Sequence, residues 1–214
     1  MNKVLLSESE KKLFKKLNSP SKIQDFLETI PINFERKGET VYSPRQVLEK
    51  NKAHCMEGAL FAAAVFQFHG QKPLLLHLKT TRNDFDHVVA PFKVKNHWGA
   101  ISKTNHAALR YREPVYKNIR ELVMSYLHEY FLNKTAQKTL RSYSELLDLN
   151  QFNSKNWITS EKDLWYIDRA LDKISHHPIL TKGMIKSLRP ADPVEIKAGK
   201  ITGWSKAWPK KQKE

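Results

Sequence analysis

The chain has 214 residues, 40% of them hydrophobic, with ten Phe, five Trp and one Cys. That composition suits a folded domain with a substantial core and excludes low-complexity disorder; a single cysteine excludes an internal disulfide framework and points to a reducing, cytoplasmic setting. No run of about 18 apolar residues occurs, so neither a membrane span nor a secretory leader is expected. The 37 Lys and Arg against 22 Asp and Glu leave a formal charge of +15. Such an excess suits a polyanion or an acidic partner, and the basic C-terminal tail over 191–214, which ends "KAGKITGWSKAWPKKQKE", is the expected place for that contact.

In chain order, "ESEKKLFKKL" (8–17) sets Leu13, Phe14 and Leu17 at helical spacing. "SPSKIQDFLETI" follows with Ser19 as an N-cap before Pro20, so two short helices are predicted within 1–43. "YSPRQVLEKN" repeats the Ser-Pro start, with Val47 and Leu48 on its buried side. From Cys55 to His69 nearly every residue is apolar or small, and Gly70 stands where a glycine would end the helix.

Three strands are predicted next, in "KPLLLHLKT", "FDHVVAPFKV" and "HWGAISK", the last two joined by a hairpin turn at Lys95–Asn96. In the second, Val88, Ala90, Phe92 and Val94 share one face, leaving His87 on the other with Val89. Pro114 then opens a long predicted helix whose stripe runs from Val115 through Ile119, Leu122, Tyr126 and Tyr130 to Phe131. "SEKDLWYIDRALDKI" predicts another, starting from Ser160 and Asp163, and His176-His177 before Pro178 looks like a helix end. The expected arrangement is α+β: N-terminal helices over 1–43, a core over 44–110, a helical part of the same domain over 111–190, and the tail.

Taken by itself, a lone cysteine is more often a small buried core residue than a nucleophile. Position changes the weighing. A thiolate is the attacking species, and the unpaired amides and dipole of a helix N-terminus favour negative charge there. His87, two strands on, is the candidate base that would hold the thiolate and later protonate a leaving amine. His54, beside the cysteine, is read as a cap or surface residue rather than a second catalytic group. The nine histidines form no HxxxH or HExxH pair and no second cysteine is present, so neither a metal nor a cofactor is expected. Trp204 and Trp208, in the basic tail, could instead touch nucleic acid.

The stretches "CMEGALFAAAVFQFHG", "HVVAPFKV" and "HWGAIS" resemble the transglutaminase-like superfamily, whose pattern is a cysteine heading a small-residue helix, a strand opening on His, a turn, and Trp. The resemblance covers about residues 44–105. It implies a papain-like core in which Cys55 is the nucleophile, His87 the base, and Trp98 part of the substrate site. The family's third residue, an Asp four positions beyond the Trp, falls on Ser102 here. Antiparallel pairing across Lys95–Asn96 sets residue 87 opposite about 104, so Asn105 is an alternative orienting residue and is preferred over Ser102. Arg112 is a candidate contact for a substrate carboxylate. The expected function is hydrolysis or acyl transfer at an amide of a peptide, protein or small molecule. The alternative is a non-catalytic basic protein that keeps the fold and binds nucleic acid or an acidic partner.

Overall fold

The computed structural model describes residues 6–204. Its second and third helices begin where the Ser-Pro starts predict, and the first begins at a serine just ahead of its predicted stretch. In α1 (Glu8–Lys16), Ser7 and Glu10 form a reciprocal cap; in α2 (Pro20–Thr29), Ser19 accepts from the Lys22 N–H; in α3 (Pro44–Lys50), Ser43 pairs with Gln46. Each serine oxygen satisfies an amide that the first turn leaves unpaired, and a proline at the start has no amide to satisfy. The central helix α4 (Cys55–Phe68) ends at Gly70, whose φ of +77° lets its own N–H bond Gln67 O while Gln71 N–H bonds Phe66 O. These two bonds close a Schellman motif.

The fold is α+β, built on a seven-stranded antiparallel sheet. Its central hairpin joins β2 (His87–Val94) to β3 (His97–Ile101), and the pairs run from Val94↔His97 to Ala90↔Ile101. Lys95 and Asn96 both have positive φ, 45° and 69°. That is the type I′ geometry whose twist matches a two-residue hairpin. On the other side of β2 lies β1 (Leu74–Lys79), which pairs with β5 (Ser142–Ser144) at one end and β6 (Leu147–Asp148) at the other.

Several expectations for the second half are corrected. Residues Arg112–Tyr116 form β4, the outer strand beside β3, and not the start of a helix. Pro114 is tolerated there because an edge strand can turn its missing amide away from the ladder. Helix α5 (Ile119–Met124) is short, begins at Asn118, and gives way to turns before Tyr130. Helix α6 (Trp165–Lys173) starts after Leu164 with no side-chain cap, so Ser160 and Asp163 do not begin it. His176–Pro178 is strand β7, paired with β5, and not a helix end. Helices α7 (Lys182–Ser187) and α8 (Pro193–Gly199) follow, so the region expected to be helical carries four strands and the first part of the basic tail is helical. The tail's last ten residues, with Trp208, lie outside the described residues.

Both faces of the sheet are covered, and the period-two rule assigns side chains to each. Leu75, Val88, Ala90, Phe92 and Ile101 pack with α1–α4 and α6 in one apolar cluster; Leu76, Leu78, Val89 and Ala100 pack with Leu122, Tyr126 and Leu127 in a second. Helix α4 is buried continuously from Met56 to Phe66. No described helix is long and apolar enough to cross a membrane.

Candidate active site

Cys55 occupies the first position of α4 and is partly exposed. The chain reaches it through Ala53, whose N–H and C=O bond Pro31 and Asn33, so the approach to the helix is pinned from outside. Close packing behind the first turn depends on Gly58: a Cβ there would lie 2.4 Å from Lys103 Cβ. Lys103 is itself buried, and its ammonium donates to Leu27 O and Ile30 O at the end of α2. Burial brings its pKa down to about 8.

His87 is the first residue of β2 and is buried. Its Nε2 lies 2.7 Å from Ser102 Oγ, while the same Oγ is in short contact with Leu109 O. A carbonyl oxygen can only accept, so the one hydroxyl proton of Ser102 goes to Leu109. Ser102 must therefore accept from His87, which puts the ring proton on Nε2 and leaves Nδ1 unprotonated. One step beyond the last β2–β3 pair, Ala90↔Ile101, the same register would set residue 102 opposite Val89 and make His87 its diagonal neighbour. Ser102 is anchored in turn by Gln24, which bonds its amide and its carbonyl.

Burial alone would push the Cys55 thiol up, but hydrogen bonding and charge from His54 and His87 outweigh it and hold the thiol well below its usual value. Of the two roles expected of His54, cap or surface residue, it takes the first, and it also acts on the Cys55 sulfur. It is the N-cap of α4: its Nδ1 takes the Met56 N–H at 3.3 Å, its Nε2 faces Thr40 O at 2.9 Å, and its own amide donates to Glu57. Burial opposes its protonation, yet the Cys55 sulfur, Glu57 and the Thr40 carbonyl raise its pKa to about 10. Glu57 is fully buried and fully bonded, by Asn33, Thr40, the Tyr42 amide and His54. This carboxylate network was not anticipated from the sequence, although Glu57 stands three residues after His54 at capping-box spacing.

The other sequence candidates lie elsewhere. Asn105 does not reach His87: its amide holds the Trp204 backbone, accepting from the N–H at 2.7 Å and donating to the C=O at 2.9 Å. Trp98 is on β3, stacked under the Lys93 ammonium and packed on the second cluster. Arg112 is committed to Ser125, to Glu129 at 2.7 Å and to the face of Tyr126. Neither Trp98 nor Arg112 lines the cavity onto which Cys55 opens. Of the two acids before His87, Asp86 bonds His77 and Thr80, and Asp84 bonds Thr139.

That cavity has a volume of about 530 Å³ and is lined by Cys55, His54 and His87 together with more distant segments. Phe34 and Phe85 contribute apolar surface, Phe85 being 89% exposed. Tyr130, Phe131 and Leu132 contribute more, since the chain turns here where a continuous helix was expected. The rim also holds Glu129, which accepts from the Leu109 amide. Among the described residues, no group of three or more His, Cys, Asp or Glu is arranged to hold a metal ion. Neither a scan against protein-family models nor a search of the curated proteins finds a match to this chain.

Proposed function

We propose that the protein is a cysteine enzyme of papain-like, transglutaminase-like type that cleaves or transfers the acyl group of an amide. The single observation that carries this reading is the His87–Ser102–Leu109 arrangement. It fixes the ring proton on Nε2, so that Nδ1 is the nitrogen available to a thiol already held below its usual pKa. Ser102 then takes the orienting role that the resemblance assigns to an aspartate. It contributes no charge; its oxygen accepts from the ring because its proton is held elsewhere.

In the proposed mechanism the Cys55 thiol first gives its proton to the free Nδ1 of His87; the thiolate so formed adds to the amide carbonyl, and the C–S bond forms as the oxygen becomes an oxyanion. The first-turn amides of α4, Cys55 N–H foremost, receive that charge. The imidazolium of His87 delivers its Nδ1 proton to the departing nitrogen as the C–N bond breaks, leaving a thioester and a neutral ring. Water, or an amine, then attacks the thioester while Nδ1 removes its proton, and the thiolate is released. The apolar lining from Phe34, Phe85 and Phe131 favours an uncharged acyl side chain.

Alkylation tests the reading directly, because Cys55 is the only cysteine. Iodoacetamide at pH 6 is expected to modify the protein much faster than a free thiol of ordinary pKa, and His87→Ala is expected to slow it. A rate no faster than the free thiol overturns the proposal. A burst of nitrophenol from an acyl nitrophenyl ester, lost in Cys55→Ser, would report the thioester.

A further inference from the structure

Just beyond β3 the chain presents a short backbone edge, Asn105–Ala107, at the rim of the Cys55 cavity, and the C-terminal segment lies along it. His106 and Thr202 pair in antiparallel fashion, Ala107 N–H donates to Ile201 O at 3.1 Å, and Gly203 N–H donates to Asn105 O at 2.9 Å. The Asn105 side chain completes the contact by holding both the N–H and the C=O of Trp204. Asn105, His106 and Gly199 all line the cavity.

Every one of these bonds engages main chain of the C-terminal segment. Its side chains are scarcely used: Ile201 is 62% exposed, and a Cβ at Gly203 would meet only Asn105 Oδ1, at 4.0 Å. An edge that binds main-chain groups without selecting side chains is the geometry by which proteins add an extended peptide to a sheet. We infer that Asn105–Ala107 is a binding track for an extended peptide, occupied in this structure by the chain's own residues 201–204, and that a peptide substrate reaches Cys55 by displacing them. The substrate class rests on the proposed function; the peptide track itself does not. Asn105 thus acts in peptide binding and not in orienting His87.

The full-length chain tests this with a fluorescein-labelled peptide copying residues 199–206, followed by anisotropy. Gly203→Pro removes the N–H that bonds Asn105 O, which weakens the internal occupant. The variant is expected to bind the labelled peptide about tenfold more tightly than the unsubstituted chain, the scale of one lost competing hydrogen bond. Adding Asn105→Ala to Gly203→Pro is expected to abolish that gain. Amide exchange outside 199–204 should match in all variants, which separates release of the segment from unfolding. Equal affinity for the Gly203→Pro variant and the unsubstituted chain, or a gain that survives Asn105→Ala, overturns the inference. Iodoacetamide labelling of the same samples reports on Cys55 separately: slow labelling with intact peptide binding sinks the enzyme and leaves the track standing.

Discussion

Ser102 and His54 decide what Cys55 can do, and each makes a prediction at its own scale. Ser102→Ala removes the oxygen that accepts from His87 Nε2 and leaves the buried ring free to turn. Losing a hydrogen bond to a charged group costs about 1.5–3 kcal/mol, so alkylation of Cys55 at pH 6 should slow at least about tenfold. The slowing should shrink as pH rises and the thiol ionises unaided. For His54, raised to about 10, the sign is that of a group stabilised when protonated. Its contribution is complete below the ordinary value near 6.5 and is lost as pH rises through about 10. Cys55 is lowered, so its contribution is present above about 9 and lost as pH falls through the folded value. In Cys55→Ser the His54 titration, followed by ring proton NMR, should move down from about 10, because the sulfur supplies two of the raising influences. An unmoved midpoint would assign the shift to Glu57 and Thr40 alone. Both candidates for orienting His87 were within reach of the sequence: the resemblance put the family's aspartate on Ser102, and the turn register put Asn105 near the ring. Choosing between them required knowing that Trp204 occupies Asn105.

Helix α4 shows how far local pattern carries. Its start, its end and its burial follow from small and apolar residues bounded by Cys55 and Gly70. Its seating depends on a neighbour the pattern does not reveal. Gly58→Ala would drive a methyl into Lys103 Cβ, which sits next to backbone and cannot swing aside as a side-chain tip would. Overpacking of this kind costs about 1–3 kcal/mol, and urea unfolding should show the loss. An unchanged midpoint would mean that the first turn of α4 is less constrained than its packing indicates. The hairpin β2–β3 was equally legible, because a two-residue turn and a period-two pattern leave one register. Strand β4 was not: Val115, Ile119, Leu122 and Tyr126 do lie at helical spacing, but pairing with β3 claims Arg112–Tyr116 before that period can be used.

At the scale of the molecule, one sheet carries two apolar clusters, and the site opens where the start of α4 meets the first residue of β2. Because Leu75 and Leu76, adjacent in β1, belong to opposite clusters, neither cluster can loosen without the strand they share. Leu60→Ala, in the middle of α4, should cost about 2–5 kcal/mol and shift circular dichroism and tryptophan fluorescence to one common midpoint. Separate midpoints would show that the clusters unfold independently. By itself the sequence determined the α+β class, the Ser-Pro starts of α2 and α3, the hairpin turn, and Cys55 at a helix start. All of these depend on residues a few positions apart, where spacing and turn chemistry act directly. Only the tertiary structure decided that Ser102 rather than Asn105 meets His87, and that Glu57 is a buried hub. It also brought Phe131 and Gly199 to the cavity of Cys55. Those outcomes rest on pairs such as Asn105 with Trp204, 99 residues apart, and Asn33 with Glu57, 24 apart. No local period encodes them, because the packing of the whole chain selects which polar groups meet.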